Sequence, residues 1–255
     1  MPDLVLPALD GTNPLGFFAA LGVLRAVSAA EPSARLGWRY LAGWRPVLYS
    51  SCADLGALVD VLDADRLACV DDKALALTYD EGERDLKPKP ECFRDLLLQL
   101  VKESSPERRR SVDWAAAFGT DVVKDNNGNV KPTAFHFTAG RQQFLQMVGE
   151  LQANTGVGDL LEAVGGPWLY TRPLPVLRWD CTMSRDYALR ASAPADEKAL
   201  GVPGAEWLAF RGIAFFPACA TGNGVATSGC SGGWFGRVFS AAITSPAHGA
   251  TISAP

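Results

Sequence analysis

The sequence predicts an α+β protein, and three observations lead there. A short branched apolar run, Leu4-Val5-Leu6, is followed by turn residues and then by a stretch with helical spacing. Further helix-spaced segments crowd the first half of the chain. The C-terminal third is instead rich in Gly, Pro and Trp among short β-like runs.

Taken in order, Leu4 to Leu6 reads as a buried strand, and Asp10-Gly11-Thr12-Asn13-Pro14 supplies a turn, a cap and a proline suited to a first helical turn. Leu15 to Ala30 then places Phe17, Phe18, Ala20, Leu21 and Leu24 on a wide apolar face, and Glu31-Pro32 ends the helix. Strands are expected at Leu36–Leu41 and Val47–Tyr49, and helices at Ala53–Leu62 and Phe93–Val101. Between these helices, Asp80 to Lys89 is charge-dense and proline-containing, and reads as an exposed loop. Lys124 to Pro132 is the clearest surface break, either a hairpin tip or a flexible loop, so the chain is one domain or two subdomains meeting near 124–132. After it come a strand at Ala134–Phe137 and a helix at Arg141–Leu151, then β-like runs at Val176–Trp179, Tyr187–Arg190, Ile213–Phe216 and Trp234–Ile243. No fixed-period repeat is present.

Composition narrows the function classes. With 48% hydrophobic and 20% charged residues, the 255-residue chain can build a core. The apolar run Leu15–Val27 is interrupted by Gly16, Gly22 and Arg25 and is too short to cross a bilayer. It has neither a basic leader nor a cleavage site, so the expectation is a soluble, cytoplasmic protein with no membrane partner. Six scattered cysteines without a C-x-x-C pair, and only His136 and His248 to help them, read as reduced thiols rather than a zinc site. Net charge is −4 and unevenly placed: residues 1–127 hold 15 Lys/Arg against 20 Asp/Glu, and residues 128–255 hold 9 against 8. Nucleic-acid contact would therefore be local, or shared with partner subunits.

Three local patterns suit such contact. At Thr138-Ala139-Gly140-Arg141, backbone amides at a helix start beside an arginine suit a phosphate, with Lys131 and His136 close in sequence; an ordinary strand–helix turn capped by Thr138 explains the same residues. Arg172, Arg178, Arg185 and Arg190 alternate with Tyr170, Trp179 and Tyr187, a mixture that meets phosphates and stacks on bases. The same arginines could instead pair with Asp180 and Asp186. Arg108-Arg109-Arg110 is a third basic spot, or a solvated helix face. There is no H-E-x-x-H metal motif and no P-loop. Asp71-Asp72 and Asp80-Glu81 read as solvated loops, and Gly222-Asn223-Gly224 as a tight turn. No catalytic residue, metal ligand or cofactor is assigned.

Leu9-Asp10-Gly11-Thr12-Asn13-Pro14 through Arg25 resembles the opening of compact large-subunit proteins of type I (I-U/I-G-like) CRISPR effector complexes. Arg178-Trp179-Asp180, Arg185 to Arg190, and Pro203 to Gly212 ending at Phe215-Phe216-Pro217 resemble a later segment of the same group. The resemblance implies a non-catalytic subunit of a crRNA-guided surveillance complex. Its partners would be other effector subunits, crRNA, target DNA and a helicase-nuclease. Base pairing would read sequence while the protein reads a short adjacent motif and backbone shape. The chain departs from the group in being short, and the expectation is that a helical C-terminal module carried by some of its members is supplied here by a separate small subunit. A metal-dependent nuclease or hydrolase of unfamiliar fold, and an adaptor that touches only protein, are the alternatives.

Overall fold

Asn13 starts the longest helix. In the computed structural model, which describes residues 3–78, 84–105, 108–136, 143–182, 200–222, 224–228 and 252–253, its side chain accepts the Leu15 amide at 3.0 Å. Pro14 fills the first turn, where a missing N–H costs nothing. The helix, α1 (Pro14–Ala30), follows strand β1 (Asp3–Val5), and its residues from Pro14 to Val27 are all buried. A helix apolar on every side belongs in the interior, and here it is the hub.

The two strands expected near Leu36–Leu41 and Val47–Tyr49 are β2 (Arg35–Tyr40) and β3 (Trp44–Tyr49), which pair as a hairpin, with Leu36 opposite Leu48. Its tip turns through Ala42 and Gly43, both at positive φ (52° and 138°). β1 joins β3, and the short β8 (Ile252–Ser253) joins β2, giving an antiparallel order β1-β3-β2-β8. Trp38 of β2 stacks on Phe17 of α1 with ring centres 5.5 Å apart, which fixes the sheet on the helix.

Around this unit lie α2 (Leu55–Leu67, capped by Asp54), a 3₁₀ turn (Lys73–Ala76), α3 (Pro90–Glu103) and α4 (Arg110–Phe118). Next come a hairpin of β4 (Gly119–Lys124) and β5 (Val130–Pro132), then α5 (Phe144–Asn154), α6 (Val157–Gly165) and α7 (Pro203–Gly212). The 124–132 break is thus a hairpin tip, in which Asp125 accepts the Asn127 and Asn129 amides. One continuous core includes residues from both sides of it.

The α1–α7 contact is the centre of that core, and α7 is buried along its whole length. A side chain on Gly22 would overlap the Leu208 carbonyl, and one on Gly212 the Phe18 carbonyl, so the two backbones touch. Trp114, Trp179, Trp207, Phe18, Phe144 and Phe210 fill the space beside them.

Several expected strands are something else. Ile213–Phe215 is a 3₁₀ turn that tightens the end of α7 before the hairpin of β6 (Ala218–Thr221) and β7 (Gly224–Thr227). Val176–Trp179 makes no ladder: the Leu177 amide goes to the Glu206 carboxyl, and the Trp179 carbonyl accepts the Leu15 amide. Ala134 and Phe135 form a turn, and the following helix begins at Phe144. In the segment read as exposed, Asp85 and Leu86 are buried. Tyr187–Arg190 and Trp234–Ile243 lie outside the described residues. No described helix is long and apolar enough to cross a membrane.

Candidate nucleic-acid interface

Lys131 is exposed on β5. Thr138, Gly140 and Arg141 lie outside the described residues. Their neighbour His136 is buried, with Nε2 2.9 Å from Asp85 Oδ1, and the same carboxylate accepts the Leu86 and Phe144 amides. Burial pushes the Asp85 carboxyl up, but the His136 contact and the two amides outweigh it and hold the group below its ordinary value. Asp85, held by His136, therefore ties the 84–86 segment to α5, and the His136 side chain is not open to a phosphate.

The arginine–aromatic block divides. Arg172 is engaged within the fold, 3.5 Å from Asp159 and donating to the Asn154 carbonyl at 3.1 Å. Arg178 is exposed in a left-handed conformation (φ 64°) and makes no ion pair among the described residues. Arg185 and Arg190 lie outside them, as does Asp186. Asp180 pairs with neither Arg172 nor Arg178; it accepts from Asn13, Tyr170 and Thr182 and anchors the start of α1. Trp179 packs in the core against Phe18 and offers no stacking face.

Beside this segment Glu206 is fully buried. One carboxyl oxygen accepts the Leu177 amide at 3.0 Å, and the other has no partner among the described residues. Burial pushes the group up to about 8, so it is held neutral.

Spatial clustering appears elsewhere, in a cleft of about 1030 Å³ where α1, α2, the 3₁₀ turn, α3 and α4 meet. Six cationic side chains line it: Arg25, Lys73, Arg108, Arg109, Arg110 and Arg211. Arg211 grips Asp65 with two bonds of 2.7 and 2.8 Å and lies 4.9 Å over the Trp114 ring. Arg110 pairs with Asp72 at 3.0 Å, and Lys73 with Glu103 at 2.7 Å. Asp113 is shared by two guanidiniums, those of Arg25 and Arg109. Arg108 is exposed and has no ion pair among the described residues. Burial, then the charges of Arg211 and Arg109, push Arg25 down to about 10.

Three consecutive arginines at the start of α4 oppose the helix dipole, which favours anions there. A bound anion would relieve both repulsions. In the sequence, the signal for this cleft is Arg25 and Arg211 standing inside helices rich in apolar and small residues. Among the described residues no group of three or more His, Cys, Asp or Glu side chains is placed to hold a metal ion. In comparisons with known proteins, no family, no curated protein and no solved structure matches this chain.

Proposed function

We propose that this chain is a non-catalytic, cytoplasmic subunit of a crRNA-guided CRISPR surveillance complex, one that grips nucleic acid and helps recruit a helicase-nuclease. The observation that carries the reading is the arginine cleft. A chain of net charge −4 gathers six cations around one concavity, with Arg108 on its rim available to a phosphate. Arg178 adds a second exposed guanidinium. Further support comes from the resembling stretches Leu9–Arg25 and Pro203–Phe216, which are remote in sequence yet meet in the α1–α7 contact.

The test is co-expression of the tagged chain with effector subunits and a repeat array. crRNA and a repeated backbone subunit should come down with it. Complexes carrying Arg108→Gln and Arg178→Ala should assemble and bind target DNA more weakly. Recovery with protein but no RNA would favour an adaptor, and divalent-ion-dependent cleavage by the purified chain would overturn the non-catalytic assignment.

A further inference from the structure

We propose that the inner end of the arginine cleft is a binding site for a phosphate monoester, held by Arg25, Arg109 and Arg211. The source of the monoester rests on the nucleic-acid reading above, under which it is the terminal phosphate of a strand; a free nucleotide offers the same group.

Charge is balanced along the exposed part of the cleft and unbalanced at its buried end. Outside, Arg110 with Asp72 and Lys73 with Glu103 are one-to-one pairs. At the inner end, Arg25 and Arg211 in the floor and Arg109 from the rim meet two carboxylates, because Arg25 and Arg109 share Asp113 while Arg211 holds Asp65. Two of the three guanidiniums are sheltered from water, with side-chain exposure of 9% for Arg25 and 2% for Arg211, as is Asp113 at 11%; Arg109, at 48%, joins them from the rim. The surplus positive charge borders two buried guanidiniums, and an anion bound between them offsets it. Hydrogen bonding shows the same deficit. Arg211 lines the cleft, and its Nη1 is buried without any partner among the described residues. A guanidinium has five N–H donors, and the carboxylates present do not use them all.

The acidic side chains decide which phosphate fits. A phosphodiester continues in two directions through a cleft that Asp71, Asp72 and Glu103 also line. A monoester leaves by one exit only. It also brings a second negative charge and a third unesterified oxygen for the three guanidiniums. The cleft volume, about 1030 Å³, suits a ligand of nucleotide size. Arg109 is half exposed and reaches the ligand from the rim, while Arg25 and Arg211 form the floor.

The experiment uses the full chain and calorimetric titration with a nucleoside 5′-monophosphate, its parent nucleoside, and one oligonucleotide carrying either a 5′-phosphate or a 5′-hydroxyl. The monophosphate should bind and the nucleoside should not, and the 5′-phosphate should tighten the oligonucleotide by about tenfold. Arg109→Gln should abolish that preference. Lys124→Gln, exposed on β4 and outside the cleft, should leave it intact, and circular dichroism checks that both variants fold. Equal affinity for the two oligonucleotides with no monophosphate binding overturns this site and leaves the nucleic-acid reading standing. Monophosphate binding with neither oligonucleotide bound keeps the site and overturns that reading. Monophosphate affinity unchanged by Arg109→Gln assigns the anion elsewhere and overturns the proposal.

Discussion

Two buried carboxyls respond to burial in opposite ways, and pH should separate them. Glu206 has a single amide against it, and desolvation, helped by the charge of Asp180, lifts it to about 8. Asp85 has His136 and two amides, which together overcome the same desolvation and depress it. A raised acid is favourable to the fold while both states are protonated. Its contribution is full below the unfolded value near ~4.3 and declines as pH rises toward 8, by up to about 1.4 kcal/mol per pH unit. A depressed acid does the reverse: its contribution is present above the unfolded value near ~3.9 and is lost as pH falls through the folded one. Glu206→Gln keeps an acceptor for the Leu177 amide and should flatten the decline between about pH 4.5 and 8. Asp85→Asn should flatten the acid limb. Urea unfolding across pH measures both, and an unaltered slope in Glu206→Gln would show that the carboxyl is ionised in the native state.

At the scale of elements, the α1–α7 contact sets the tightest tolerance. Gly22→Ala gains roughly 1 kcal/mol of helix propensity, yet its methyl group meets the Leu208 backbone, which cannot rotate aside. Overpacking against backbone should win, with a net loss of about 2–3 kcal/mol in chemical unfolding. Leu24→Ala, which empties space in the same core, should cost about 2–5 kcal/mol. A Gly22→Ala protein as stable as the parent would mean that the helices separate easily. α1 was legible in the sequence because cap, proline and a wide apolar face agree there. α7 was not, because Pro203, Gly204 and Gly212 look like loop residues. The proline sits in the first turn, and a side chain on Gly204 would overlap the Asp159 carbonyl, so these residues serve close packing rather than a break. Trp179 misled for a related reason: alternation with arginines suggested a stacking surface, but tertiary packing turned the ring inward.

Over the whole molecule, charge is arranged against general polyanion binding and in favour of one place. The isolated chain should bind duplex DNA weakly and with steep salt dependence, and Arg108→Gln should lower the log–log slope by about 0.9. A slope unchanged by that substitution would locate the phosphate contacts elsewhere. The Arg108–Arg110 run was legible as a basic spot, but the cleft was not, since Arg25 and Arg211 join that run only on folding. The same long-range construction bears on biosynthesis. About 170 residues separate the end of α1 from the start of α7. At roughly 5–20 residues per second, a ribosome needs on the order of 10–35 s to cover that interval. For all of that time a helix apolar on every side has emerged without the partner that covers it. The nascent chain therefore passes through a long window of aggregation risk, in which a holding chaperone, or a slowly translated stretch that lets earlier elements shelter α1, governs how much protein reaches the native state.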